Sequence, residues 1–400
     1  MRIMITGGAL LTPDRTMPET TLLVEGTTIT ALVPGAPPVA PGDQVIDAHG
    51  MWVAPGLIDL HVHGSAGHDT LDATPEALHG MARFFARHGV TGYLATTPAA
   101  SSRALAKAVA NVATTPQPED GAQHLGIHLE GPYLNPEHKG AQPPEQLRDP
   151  DPADYEPWLT SEVVRLMTVA PERPGMLALI ERGVAKGIEF AVGHSAASYE
   201  EMLAAADRGL RQAAHTFNAM LGLHHRQPGT AGAVLADDRI YAQIIADGVH
   251  VHPALVKILI RAKGPRRTIL ITDATRAAGL ADGDYELAGH PILVRVGIAR
   301  TPAGSLAGST ITLDVALRNA IRFTGASLND ALRMATATPA EAMGWGGRKG
   351  VLAPGADADI ILLDAELNVR LTLVAGRVVF RSSEVHRGGV GRLASRPSTV

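Results

Sequence analysis

The sequence predicts an α/β fold, a (β/α)8 TIM-like barrel with a small β-sandwich domain built from both chain termini. Three observations carry this. From about Val53 onward, apolar strand-like runs alternate with helical segments, and eight strand candidates can be counted. The two ends of the chain, 1–52 and 351–383, are instead rich in short β-prone pieces punctuated by Gly and Pro. No Gly-rich dinucleotide turn follows the first barrel strand, which argues against a doubly wound sheet.

Taken in order, the N-terminal pieces are Ile3–Thr6, Thr21–Val24, Thr27–Leu32 and Gln44–Asp47, with the proline-rich 33–42 as a loop. The barrel, 53–350, opens with strand 57–63, helix 75–87, strand 92–96 and helix 103–112. Strands 125–130 and 164–169, helix 176–186, strand 189–194 and helix 199–207 follow. Strands 212–216 and 241–246, helix 253–261 and strand 268–273 complete the set. Helices 312–323 and 329–337 come next, then short strands at 351–355, 359–363, 371–374 and 377–380. The Gly/Ser/Arg-rich stretch 384–400 is expected to be a poorly ordered tail.

Composition narrows the function classes. In 400 residues, 45% are hydrophobic and 19% charged, which suits a globular enzyme with a sizeable core. The formal net charge of −5 and the lack of a basic run argue against a nucleic-acid partner. No Lys/Arg-rich amphipathic helix and no bilayer-length apolar stretch suggests a membrane partner. With no cysteine, disulfides and thiolate metal sites are excluded. The N-terminal apolar run is too short for a signal peptide, so a cytoplasmic location is expected.

The chemistry-bearing residues fall at the C-terminal ends of the barrel strands, where such a barrel builds its active site. The first strand ends in His61-Val62-His63, and alternation along a strand puts both imidazoles on one face. Glu130 ends the third strand, His194 the fifth, His215 the sixth and Asp273 the eighth. Alone, a strand-end His can satisfy a carbonyl and a strand-end Asp can cap a helix. Six converging groups of ligand type argue for a centre that would accept Zn, Fe or Mn.

The segments 46–50 and 53–64, IDAHG and VAPGLIDLHVHG, resemble the opening signature of the amidohydrolase superfamily. The return segment 349–360, KGVLAPGADADI, resembles that superfamily's re-entry into its sandwich. More narrowly, HLEGPYL (128–134), HKGA (138–141), GHS (193–195), HTFNAM (215–220), DGVH (247–250) and LAGS (306–309) resemble the N-acetylglucosamine-6-phosphate deacetylase family. The resemblance spans the chain from about Ile3 to Phe380, in order.

It implies that Glu130, His194 and His215 hold a core metal, and that His61 and His63 add a second with Glu130 bridging. One or two divalent ions per subunit are therefore expected. Asp273 would act as general base toward a metal-activated water and return the proton to the leaving amine. The reaction implied is deacetylation of N-acetyl-D-glucosamine 6-phosphate to D-glucosamine 6-phosphate and acetate. Arg226, His250 and the backbone N–H groups of Asn218 and Ala219 would read the phosphate. Arg226 and His250 would reach across from a neighbouring subunit, implying a homodimer. Ala141, Gln142, Leu306, Ala307 and Gly308 would border the substrate. The fourth strand (164–169) offers no lysine to bridge two metals, which argues against a dihydroorotase-type site.

One residue departs from the pattern. Gln142 stands where the family has a carbonyl-polarising histidine, and glutamine cannot become cationic. His138, or the second metal, is the alternative polariser. The other histidines, 68, 79, 88, 224 and 225, read as loop or helix-surface residues. Two rival readings are a deacetylase of N-acetylgalactosamine 6-phosphate or a related amide, and a catalytically dead scaffold of the same fold. No acid/base motif of the His-Ala-Gly-Glu kind is present to favour a nucleobase deaminase.

Overall fold

The computed structural model describes residues 2–12 and 15–383. The expected tail, 384–400, lies outside the described residues. Eight parallel strands pair in sequence order: Leu57–Val62, Val90–Thr97, Gln123–Glu130, Val164–Val169, Glu189–Val192, Gln212–Ala213, Tyr241–Ile245 and Thr268–Ile271. Four are buried at every residue and the others at all but one or two, which is why they read as continuous apolar runs rather than alternating ones. The ring is joined at its C-terminal rim, where the Asp273 N–H donates to the His61 carbonyl at 2.8 Å. Ile58, Leu60, Leu94, Leu166, Ile245 and Ile271 pack the interior below that rim, so the barrel is a core and not a pore.

The outer helices show the local signals expected of them. Pro75–Arg87 starts at Thr74, whose hydroxyl accepts from the Ala77 N–H, and buries Leu78, Met81 and Phe85 on one face. Tyr199–Asp207 opens with a capping box between Ser198 and Glu201. Among the described residues, no helix is long and apolar enough to cross a membrane.

Both chain ends form the sandwich. One sheet orders Thr28–Pro34, Thr20–Glu25, Arg2–Thr6 and Gln44–Asp47. The other orders Arg377–Arg381, Val369–Val374, Ile360–Leu363, Trp52–Pro55, Ala9–Leu11 and Thr16–Met17. Ile3, Ile5, Leu10, Leu22, Ile360, Leu362 and Leu371 share one core between them. Trp52–Pro55 straddles the expected boundary at 52/53 and belongs to the sandwich, and Gly56 makes the turn into the barrel. A Cβ on Gly56 would lie 2.1 Å from Thr91 Oγ1, so nothing larger fits this crossing.

Buried Lys349 bolts the two units together. Its ammonium donates to Asp359 Oδ2 at 2.8 Å and to Gln123 Oε1, at the start of the third barrel strand, at 3.0 Å. Lys349→Met leaves the buried Asp359 carboxylate without its cation, so we expect a loss of about 3 kcal/mol of stability. Urea unfolding measures it, and an unchanged midpoint would rule out this clamp.

Several expected elements differ. The stretch 351–355 is a series of turns and not a strand, because Pro354 lacks a ladder donor and Gly355 adopts φ 89°. The helix expected at 329–337 is two, Leu328–Ala335 and Ala337–Ala342, broken at Thr336. Strands five, six and eight end two residues before His194, His215 and Asp273. Helices Pro152–Leu159 and Gly229–Ala236 are additional. So is a three-stranded antiparallel sheet of Gly283–Leu287, His290–Arg295 and Ile298–Arg300, whose Ile292 and Val294 carry the period-two pattern of a half-buried strand.

Candidate active site

The six strand-end residues converge around one carboxylate. Glu130 Oε1 lies 2.9 Å from His215 Nε2, 3.2 Å from His194 Nε2 and 3.4 Å from His61 Nε2. Its other oxygen, Oε2, is 3.4 Å from His63 Nε2. Asp273 Oδ1 closes the far side, 3.0 Å from His63 Nε2 and 3.4 Å from His61 Nε2. All six side chains are buried.

His63, His194, His215 and Asp273 all lie just past the ends of their strands. His194, His215 and Asp273 take left-handed φ values of 50°, 29° and 51°, rare for non-glycine residues. Each such conformation costs on the order of 1 kcal/mol or more, and the surrounding backbone hydrogen bonds hold it. The Asp273 N–H to the His61 carbonyl is one of them. The strain turns each side chain off the strand direction and inward over the barrel mouth.

Hydrogen bonds behind the cluster set the imidazole tautomers. His194 Nδ1 lies 3.0 Å from the His138 carbonyl, which can only accept, so Nδ1 carries the proton and Nε2 a lone pair. His61 is held through a buried relay: Gln212 Nε2 donates to Met343 Sδ, and Gln243 Nε2 donates to Gln212 Oε1. That direction leaves Gln243 Oε1 to accept from His61 Nδ1 at 3.4 Å, again freeing Nε2.

The electrostatics match a cation site. Burial alone would push the Glu130 carboxyl up, but the His61, His194 and His215 imidazoles hold it well below the usual carboxylate range. Asp273 is lowered too, against its burial, by His61 and His63. Burial disfavours a charged His63, yet Asp273 and Glu130 raise it well above an ordinary imidazole. The ligand-type atoms of His61, His63 and Asp273 lie within 4.8 Å of one another, as do those of His61, Glu130 and His215. His61 Nε2 is buried without a hydrogen-bond partner. An orphaned imidazole nitrogen facing two carboxylates, with its lone pair directed by the relay, fits a divalent cation.

A cavity of about 320 Å³ opens over this cluster. Of the expected substrate residues, Ala141, Gln142, Asn218, Ala219, His250, Leu306 and Gly308 line it, and so does His138. Ala307 is buried behind the wall, in the core of the small three-stranded sheet. Arg226 is exposed on its loop, 2.7 Å from His225 Nε2, and does not line the cavity. His250, expected from a neighbouring subunit, lines the cavity of its own chain and pairs with Asp247 at 2.6 Å. The backbone N–H of Asn218 and its side-chain Nδ2 both donate to the His215 carbonyl, at 2.9 and 3.1 Å.

Gln142 is the departure that the structure explains most fully. The Ala99 N–H donates to its Oε1 at 2.8 Å, and its Nε2 donates to Glu130 Oε2 at 2.6 Å. Sequence reading also passed over several participants. His128 is buried 4.7 Å from the His61 ring, held neutral by burial, with Thr168 Oγ1 2.7 Å from its Nε2. Asp59, pushed up to about 6 by burial, accepts from the Thr272 hydroxyl and the His61 N–H. Leu287, from the additional sheet, lines the cavity. The period-two pattern around Leu287 was the available signal; the glutamine relay had none. The five histidines read as loop or helix-surface residues stay out of the cavity, as with His79, which reaches the Pro116 carbonyl.

The amidohydrolase family model matches residues 52–379. The chain is 41% identical over 329 residues to the N-acetylglucosamine-6-phosphate deacetylase of Vibrio furnissii, covering 82% of each chain. It is 40% identical over 329 residues to the N-acetylgalactosamine-6-phosphate deacetylase of Escherichia coli O157:H7, covering 82% of this chain and 87% of that one. A solved mutant N-acetyl-D-glucosamine-6-phosphate deacetylase from Mycobacterium smegmatis, in complex with N-acetyl-D-glucosamine-6-phosphate, is similar with a TM-score of 0.87. Its identity is 34%, over 94% of this chain and 99% of that one.

Proposed function

The chain belongs to the amidohydrolase family, and from that premise we propose that it deacetylates N-acetyl-D-glucosamine 6-phosphate, giving D-glucosamine 6-phosphate and acetate. The observation that carries the reading is Asp273, a buried carboxylate at the cavity floor, set beside five further ligand-type groups. Glu130, His194 and His215 would hold one divalent ion and His61 and His63 a second, with Zn, Fe or Mn as candidates. Such an ion supplies Lewis acidity to the acetyl carbonyl and lowers the pKa of water in the cavity. Asp273 takes the proton of the attacking water, whose oxygen bonds to the acetyl carbon. The same carboxyl then delivers the proton to the amine nitrogen as the C–N bond breaks. Gln142 has one amide N–H left to donate to the acetyl oxygen, and His138 stands nearby on the cavity wall.

At the other end of the cavity, His250 anchored on Asp247 suits a phosphate. Arg226 would come from a second copy, in a cytoplasmic homodimer. The exposed apolar side chains of Leu221, Leu223, Val249, Leu255 and Ile258, around the same loops, support an interface there. In this reading the catalytic unit is the barrel, expected over 53–350 and entered at Gly56, braced by the sandwich that both chain ends build. Arg226→Ala should lower kcat/KM for the phosphorylated sugar about 10- to 100-fold and leave unphosphorylated N-acetylglucosamine little changed. Equal losses on both substrates would count against the phosphate role.

The similarity to an N-acetylgalactosamine-6-phosphate deacetylase supports a second reading, the 4-epimer as substrate. Acetate release by metal-loaded protein from both phosphosugars and from unphosphorylated N-acetylglucosamine decides between them. Preference for the galacto sugar would replace the substrate and keep the mechanism. Turnover of unphosphorylated amides alone would sink the phosphosugar reading, and no turnover with any of the three metals would favour the scaffold.

A further inference from the structure

The amide of Gln142 is oriented without ambiguity. A backbone N–H can only donate, so the Gln142 atom 2.8 Å from Ala99 N is the oxygen, and the atom facing Glu130 is the nitrogen. Gln142 Nε2 therefore donates to Glu130 Oε2 at 2.6 Å, in a buried setting. This divides the carboxylate. Oε1 faces His194, His215 and His61, whereas Oε2 faces Gln142 and, at 3.4 Å, His63.

We propose that Gln142 is a positioning residue that makes the two cation positions unequal. By holding Glu130 Oε2 it opposes bridging by this carboxylate, so that one ion binds tightly with Glu130, His194 and His215 while a second, at His61, His63 and Asp273, binds weakly. The inference rests on the metal-site reading above. Its physical basis is twofold. A hydrogen bond to Oε2 occupies one of that oxygen's lone-pair directions and draws off part of its charge. The positive end of the amide dipole also sits on the side of Oε2 that a second cation would share, inside a low-dielectric cluster where such repulsion is felt strongly. The contact with Ala99 keeps the amide from turning away.

The test is titration of chelator-stripped protein with Zn²⁺ by calorimetry, with elemental analysis of the dialysed products. The wild type should bind one ion tightly and a second at least about tenfold more weakly. Gln142→Met removes the donor, and Gln142→Asn is one methylene too short to span Ala99 and Glu130. Both should tighten the second step about tenfold and leave the first little changed. Thermal unfolding of the stripped proteins identifies a variant that fails to fold, and the asparagine variant serves if methionine is not tolerated. Two equal steps in the wild type, or an unchanged second step in a folded variant, would overturn the role of Gln142 alone. No binding at all by the wild type would overturn the metal reading and this inference with it.

Discussion

Asp273→Asn is expected to lower turnover on the order of a thousandfold, the scale of a lost general base. The substitution keeps the shape of the side chain and the backbone that carries it. Asparagine tolerates the left-handed backbone at φ 51°, and the N–H donated to the His61 carbonyl belongs to the main chain. What disappears is the carboxylate proposed to accept the proton of water. An ion held, as proposed, by Glu130, His194 and His215 should stay in place. Acetate release and elemental analysis on the same preparation check both halves, and unchanged turnover would refute the assignment.

Glu130→Gln should behave oppositely, losing the metal and the activity together. Glu130 Oε1 is the shared neighbour of three imidazole nitrogens within 3.4 Å. A carboxamide there has no charge to offer a cation and turns either a weaker acceptor or an N–H toward them. A drop in metal affinity of about 100-fold or more is expected, seen by equilibrium dialysis. The metal-free protein should also change its acid response. Glu130 is held below its ordinary value of 4.5, so its carboxylate contributes stability that is present above that pH. That contribution is lost as the pH falls through the depressed folded value, and the glutamine variant should lack this part of the acid dependence. If Glu130→Gln retained its metal, the hub role of this residue would be wrong. Together the two variants separate loss of the proposed base from loss of the proposed metal ligand.

The kinds of groups in the site, and their order along the chain, were legible because they are properties of single strands. His61 and His63 share a face by strand alternation alone. Glu130, His194, His215 and Asp273 each follow an apolar run, and a barrel brings the C-terminal ends of all such runs to one rim. The sandwich was legible from the β-rich ends in the same way. The hairpin sheet that supplies Leu287 was overlooked, although its alternation is present in the sequence.

Other features had no one-dimensional signal. The left-handed turns at His194, His215 and Asp273 run against the local preference of those residues and exist because neighbouring strands hold them. Gln142 could be recognised as a departure, but its two partners, Ala99 and Glu130, come from separate strand ends. The relay that sets the His61 tautomer joins three side chains from distant parts of the chain. That Arg226 stands on an exposed loop while His250 lines the cavity of its own chain is likewise a matter of how the loops fold over the barrel. The sequence by itself determined the fold class, the ligand types and their order, because these follow from local periodicity and from where strands end. Tertiary structure alone decided which groups face each oxygen of Glu130, which imidazole nitrogen carries a lone pair and which residues line the cavity. Those depend on barrel register and closure, which bring the last strand against the first.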